Sequence, residues 1–196
     1  MSTARMDRTS RRRLQQAFKL LNRFMVLMWR LGLGWVINLA PRTSGQIMVI
    51  THVGRKSGLK RRTPVNYALV DDELYCTAGF GHVSDWYRNI KAHPEIEVWL
   101  PGSRWKAVVS EVTDPADRLR LVRQVLIGSG FAARAAGMNP HTMTDEALAA
   151  ATDGYRVLRL HRTDALHESG DLVWVWPLML IGGYWWRRNH RRLRHV

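Results

Sequence analysis

The sequence predicts an α+β domain, and two observations carry that prediction. Short, apolar, β-branched runs recur through the middle of the 196-residue chain, each bounded by glycine- or proline-bearing turns. Between some of these runs lie segments that open on helix-capping residues. A chain of this length accommodates one core of about 120–150 residues together with extensions.

The elements follow in order. From Leu14 on, Ala17, Phe18, Leu21, Phe24, Met25 and Met28 recur at the three-and-four spacing of one helical face, and Arg11, Gln15, Lys19, Asn22 and Arg23 fall mostly elsewhere. That apolar face continues through Leu31–Ala40. Gln46–Thr51 reads as a first strand, Thr63–Val70 as a second and Leu74–Thr77 as a third. Ser84 or Asp85 then caps a helix that His93-Pro94 closes. Glu95–Leu100 and Trp105–Val112 are strand-like and joined by the turn Pro101-Gly102-Ser103. Thr113-Asp114-Pro115 starts a helix through about Ile127. The stretch from Gly128 to Pro140 is rich in glycine and alanine, Thr144-Asp145-Glu146 opens a short helix, and Tyr155–Leu160 returns as a strand.

Leu172–Trp186 is uncharged, holds five Trp or Tyr residues and runs straight into Arg187-Arg188. As a helix it would reach only about 22 Å, short of a hydrocarbon core of roughly 30 Å. Pro177 and Gly182-Gly183 are expected to interrupt it, so an in-plane attachment is expected and not a span. The other reading makes Leu172–Trp176 the last strand and packs the N-terminal helix on the core or on a second subunit. These boundaries divide the chain into a basic amphipathic extension at 1–45, a central α+β domain at 46–176 and an apolar-aromatic, basic tail at 177–196.

Charge is concentrated at the ends. Of the formal +14, residues 1–31 carry a net +7, with eight Arg or Lys against Asp7 alone, and residues 187–196 carry five Arg and no acid. Arginines beside aromatic rings suit the headgroup zone of a membrane. No helix shows clustered cations with groove-reading polar residues, which argues against nucleic acid. Basic residues continue to Arg13 without a clean apolar core, so no secretory signal is expected, and the basic ends belong on the cytoplasmic face of a membrane as a peripheral attachment. Cys76 is alone in an apolar strand and reads as a small buried hydrophobe. No His/Cys/carboxylate set has metal spacing.

Between the first two strands, Thr51–Pro64 places Gly54 and Gly58, hydroxyls and five cations in one loop. Both glycines can take positive φ at little cost, which exposes backbone N–H groups, and Arg55, Lys56 and Arg61 supply charge suited to phosphate or carboxylate oxygens. The spacing is neither a Walker loop nor a dinucleotide fingerprint. A solvated basic turn is the plainer alternative. The helix start at Ser84-Asp85 adds a second element that favours an anion, with Trp86 and Tyr87 beside it.

Here the chain resembles the deazaflavin-dependent nitroreductase and quinone-reductase family of actinobacteria. Gly54, Arg55, Lys56, Ser57, Gly58, Arg61, Thr63 and Pro64 match one of its patterns, and Asp85, Trp86, Tyr87 and Asn89, followed by Ala92 and Pro94, match a second. The resemblance covers about Ile47–Leu160. It implies a split β-barrel of the FMN-binding split-barrel type, and coenzyme F420 as cofactor. It also implies that Arg55, Lys56, Ser57 and Arg61, with Gly58 in their loop, hold the anionic tail. Thr63, Pro64, Val65 and Asn66 would then neighbour the ring, and Ala78, Gly79, Asp85, Trp86 and Tyr87 would form a second wall. Many relatives carry Ser-Lys-Gly-Gly where this chain has Thr77-Ala78-Gly79-Phe80-Gly81, so that lysine contact does not transfer. Phe131, Met138 and His141 are further pocket candidates, with a packing role the commoner reading for each, as for His52.

The implied activity is hydride transfer between F420 and a lipophilic acceptor such as a quinone at the membrane surface. The ends, residues 11–40 and 172–196, would contact anionic lipid or a membrane protein, and homodimerisation is left open. Tyr67, Tyr87 and a bound water all stand as proton sources, with none singled out. Two alternatives remain: FMN or haem in the same barrel, and a non-catalytic accessory subunit of a membrane complex.

Overall fold

The computed structural model describes residues 20–39, 45–166 and 172–192. Expectations placed on residues 1–19, such as the helix positions Ala17 and Phe18, lie outside the described residues.

Six strands form the centre: β1 (Ile47–Val53), β2 (Lys60–Val70), β3 (Glu73–Ala78), β4 (Glu95–Leu100), β5 (Ser103–Glu111) and β6 (Arg156–Leu166). All pair antiparallel and close into a barrel in the order β1-β2-β3-β6-β5-β4, with β4 returning to β1. With the surrounding helices this is an α+β split barrel. Alternation along the strands sends Met48, Ile50, Val65, Cys76, Val98, Trp105 and Leu160 inward as one core. Cys76 is fully enclosed there, and burial pushes its thiol up to about 12, so it packs as a hydrophobe and is not a nucleophile. β6 runs six residues past Leu160 because the polar stretch Arg162–Asp164 pairs with β5 across a register shift. Alternation alone hides that extension.

Two helical layers cover the outside. Helix α1 (20–30) and the short α2 (Gly34–Ile37) lie over β1 and β4. Trp29 is buried between Val49 and Trp99, and its indole N–H donates to the Trp99 carbonyl at 3.0 Å. The stripe that docks is Val26, Met28 and Trp29, whereas Leu21 and Phe24 of the predicted apolar face are half exposed. Apolar residues surround α1 on more than one side, and the barrel takes only one of them.

After the 3-10 turn Gly81–Val83, α3 (Asp85–Ala92) caps one end of the barrel with Tyr87 and Ile90 in its core. On the β2–β3 side, α4 (Pro115–Gly128), α5 (Phe131–Ala135) and α6 (Asp145–Ala151) enclose a second core. Caps drive their starts: the Asp114 carboxylate accepts from the Asp117 amide at 2.9 Å, and Thr144 accepts from the Ala147 amide at 3.3 Å.

The C-terminal segment departs from the strand reading and from the expected interruption. Residues 172–174 form a turn, not a strand, and α7 (Val175–Arg192) runs unbroken through Pro177 and Gly182-Gly183. Pro177 lies in the first turn, where its missing N–H has no intrahelical partner to lose. The start of α7 is fastened to the end of α1, with the Leu172 amide on the Arg30 carbonyl at 2.8 Å and the Trp176 indole on the Leu31 carbonyl at 3.0 Å. Among the described residues no helix is long and apolar enough to cross a membrane.

Candidate functional site

The β1–β2 loop folds tightly around Gly54. Its carbonyl accepts from the amides of Ser57 and Gly58, and its own amide donates to Leu59. Of the two glycines, Gly58 takes positive φ (64°) and Gly54 does not. A Cβ on Gly54 would stand 2.8 Å from Ser57 Oγ and 2.9 Å from Arg61 Nε, so the glycine lets these two side chains close over the loop.

Across from the loop, α3 supplies its first turn. Arg55 donates from its backbone to Asn89 Oδ1 at 3.1 Å and from its guanidinium to the same oxygen at 2.9 Å. It also donates to the Asp85 carbonyl at 3.3 Å and carboxylate at 3.0 Å. The hydrogen bond and charge of Arg55 hold the Asp85 carboxyl below its ordinary range. Ser84 stands at the N-cap position but makes no side-chain cap bond, which leaves the first amides of α3 to other acceptors. Arg55, Lys56, Ser57 and Arg61 with Asp85 and Asn89 line a cleft of about 240 Å³. Three cations face one carboxylate there, so the cleft keeps a positive excess beside a helix N-terminus, which fits a multiply anionic ligand.

The adjoining wall is a split in the sheet. β2 pairs with β1 through Asn66 but with β3 only over Tyr67–Val70. Continued register would set Asn66 opposite Thr77 and Val65 opposite Ala78, yet β3 there pairs only with β6. The strands therefore splay, and no strand pairs with the Thr63–Asn66 edge on the β3 side. Thr63, Pro64 and Asn66 are half-buried, Val65 points into the core, and Ala78 and Gly79 form the opposite lip. A flat group meets backbone donors and acceptors in such a gap.

The structure thus joins Arg55, Lys56, Ser57, Gly58 and Arg61 with Asp85, and sets Thr63–Asn66 across a gap from Ala78 and Gly79. Trp86 is half-buried against the barrel core. Tyr87 is buried, its hydroxyl donates to Glu111 at 2.7 Å, and burial and that contact push it up to about 12. Met138 packs in the second core, while Phe131 and His141 are exposed. None of these three lines the Arg55 cleft.

Sequence reasoning omits Asn89 from the site residues although its motif includes it. The available signal is its spacing, four residues after Asp85 and hence on the same face of α3. Its amide nitrogen lies 3.4 Å from Nδ1 of His52, whose Nε2 lies 3.1 Å from Thr63 Oγ1. His52 is 2 % exposed, and burial, reinforced by the charge of Arg61 and opposed by the Val53 backbone, lowers it from 6.5 to about 4. The unfolded chain therefore takes up a proton between those values that the fold refuses. Stability present above pH 6.5 is expected to fall by up to about 3 kcal/mol as pH drops to 4. Urea denaturation across that range checks this, and His52→Gln should flatten the profile.

The family model described as F420H(2)-dependent quinone reductase matches residues 33–141. No curated protein matches the sequence. Among solved structures, a conserved hypothetical protein from Mycobacterium tuberculosis is similar at 17% identity, covering 62% of this chain and 78% of its own, with a TM-score of 0.44. An F420-H2 dependent reductase is similar at 19% identity, 59% and 94% coverage and a TM-score of 0.43. The heme storage protein HutZ from Vibrio cholerae is similar at 14% identity, 61% and 82% coverage and a TM-score of 0.41.

Proposed function

The chain belongs to the F420H2-dependent quinone reductase family, and on that premise we propose that it passes hydride between coenzyme F420 and a lipophilic acceptor such as a quinone at a membrane surface. Membership makes it an F420-dependent oxidoreductase, and the donor set agrees with that cofactor. Lys56 and Arg61 would hold the anionic tail, together with the first amides of α3. Arg55 would fix the helix against the loop, and the Thr63–Asn66 edge with Ala78 and Gly79 would receive the ring. When bound, the deazaflavin supplies the hydride chemistry at its carbon 5. The residues around it would bind, orient and exclude water.

The observation that supports a lipid-side acceptor is the apolar surface of α1, α2 and α7. Leu20, Phe24, Leu27, Trp35, Leu178, Leu180, Trp185 and Trp186 are exposed on these helices, and Leu39 and Trp174 on the turns beside them, with the start of α7 fastened to the end of α1. Such a surface is larger than solitary exposed apolar residues produce. Beside it, Arg23 and Arg30 of α1 and Lys60 and Arg62 of β2 line a cleft of about 390 Å³, in which Lys60 pairs with Glu97 at 2.9 Å and Arg62 lies over the Trp99 ring. Apolar residues rimmed by cations match an anionic bilayer.

Co-sedimentation with phosphatidylglycerol and with phosphatidylcholine vesicles tests this. Binding is expected to the anionic vesicles, to weaken with salt, and to fall about tenfold or more in Arg23→Glu/Phe24→Glu with F420 affinity unchanged. Equal indifference to both vesicles at low salt would remove the membrane from the proposal. Oxidation of F420H2 by a vesicle-borne quinone then tests the acceptor.

A further inference from the structure

We propose that His52 is a neutral positioning residue that carries one hydrogen-bonded line from Arg55 to Thr63, leaving the Thr63 hydroxyl as a donor toward the ring of the cofactor. The proposal rests on the F420 reading for its ligand and on the protein's own donors and acceptors for its wiring.

The direction of the line follows from donor chemistry. Arg55 can only donate, and both its backbone N–H and its guanidinium reach Asn89 Oδ1. That fixes the Asn89 amide with its nitrogen toward His52, where it can only donate in turn, to Nδ1 at 3.4 Å. Nδ1 therefore accepts, and a neutral ring must carry its proton on Nε2. Nε2–H then donates to Thr63 Oγ1 at 3.1 Å. With its oxygen accepting from His52, the threonine hydroxyl keeps its own proton for an acceptor elsewhere. Thr63 is half-buried, lies on the strand edge where β2 parts from β3 and is not among the residues lining the Arg55 cleft, and the acceptor assigned to it is the ring of a cofactor whose tail fills that cleft.

Register explains why these side chains meet. His52 is paired with Arg61 and Ile50 with Thr63, so His52 and Thr63 are diagonal neighbours on the inner face of β1 and β2. Asn89 reaches both strands from the helix that caps this end of the barrel. Arg61 on β2 lies beside the ring and, through Asn89, so do Arg55 of the loop and Asp85 of α3, while Lys60, Glu95, Glu97, Lys106 and Asp164 line a cleft together with His52. No carboxylate bonds to the imidazole among these contacts, so the surroundings favour its neutral form, in line with its lowered pKa. The arrangement links the end that holds the tail to the end that holds the ring, and it makes the orientation of Thr63 depend on an intact Arg55–Asn89 contact.

Two readouts test it. In the protein without cofactor, long-range ¹⁵N–¹H spectra of imidazole-labelled protein are expected to show His52 with a bare Nδ1 and a protonated Nε2, unchanged down to about pH 5. A protonated Nδ1, or a titration above about pH 6, would overturn the wiring. In the protein with F420, His52→Phe and Thr63→Val are expected to shift the bound absorbance alike. Each should lower kcat about tenfold, the worth of one neutral hydrogen bond, with F420 affinity changed far less. His52→Gln offers both an acceptor and a donor and is expected to retain the wild-type values. If His52→Gln fails as fully as His52→Phe while both melt like the wild type, a relay is contradicted. Failure of the wild type to bind F420 would overturn the ligand half of the proposal and the F420 reading together, with the tautomer reporting separately on the wiring.

Discussion

Replacing Arg55 with alanine is expected to lower F420 affinity by about 10- to 100-fold, the value of one or two charge-assisted hydrogen bonds, and to destabilise the empty protein as well. The double effect follows from where its donors go. The backbone of Arg55 and one arm of its guanidinium share Asn89 Oδ1, while the other arm meets the exposed carboxylate of Asp85. The Asp85 pair is open to water and contributes little. Asn89 is 4 % exposed, and the loss of a charge-assisted hydrogen bond to its oxygen there costs on the order of 1–3 kcal/mol. The loop then keeps only the backbone amide of residue 55 on Asn89 as its tie to α3, and Lys56 and Arg61 face a less firmly held helix end. Chemical denaturation and a fluorescence titration with F420 measure the two effects separately. Arg55→Lys keeps the charge without the fork, and is expected to recover part of the affinity and little of the stability.

Gly81→Ala is expected to be the most damaging small substitution near the site, at about 2–5 kcal/mol, or roughly 5–15 °C in Tm for a chain of this size. Gly81 has a φ of 51°, and a Cβ there would stand 2.1 Å from the backbone oxygen of Gly154. Both atoms are held by backbone, so neither can rotate away as a side chain would. The 3-10 turn that begins at Gly81 leads directly into α3, so relief of the clash moves Asp85 and Asn89 away from Arg55 and weakens F420 binding too. Gly102→Ala is the control: its φ is 78°, but no atom lies within 4 Å of the added carbon. It should cost only the conformational part, about 1 kcal/mol, and leave binding unchanged.

Arg55 and Gly81 mark the boundary between what is legible in the sequence and what is not. Strand periodicity, turn glycines and helix caps read locally, which is why Glu95–Leu100 and the starts at Asp114 and Thr144 are legible from the residues alone. The meeting of the Gly54–Arg61 loop with the Asp85 helix is legible only through the paired motifs of the family, because thirty residues of chain separate Arg55 from Asp85. The reason Gly54 is glycine is not legible, since the space it needs is taken up by Ser57 and Arg61 only once the loop has closed. On α1 the spacing points to Leu21 and Phe24, but burial goes to Trp29, whose indole finds a carbonyl on β4. Pro177 reads as an interruption because its place in the first turn of α7 depends on where that helix starts. His52 reads as a packed histidine, which it is. Its partners Asn89 and Thr63 come from a helix and a neighbouring strand that spacing along the chain does not connect.

The most direct test of the account is equilibrium binding of oxidised F420 beside FMN, by fluorescence quenching, on the wild type and on Lys56→Ala/Arg61→Ala. Those two cations carry the charge of the cleft without tying the loop to α3, so the variant should fold like the wild type. The account predicts selective binding of F420 by the wild type and a loss of about 100-fold or more in the variant. Equal affinity of wild type and variant for F420, or a preference for FMN, would contradict the assignment of this cleft to the anionic tail.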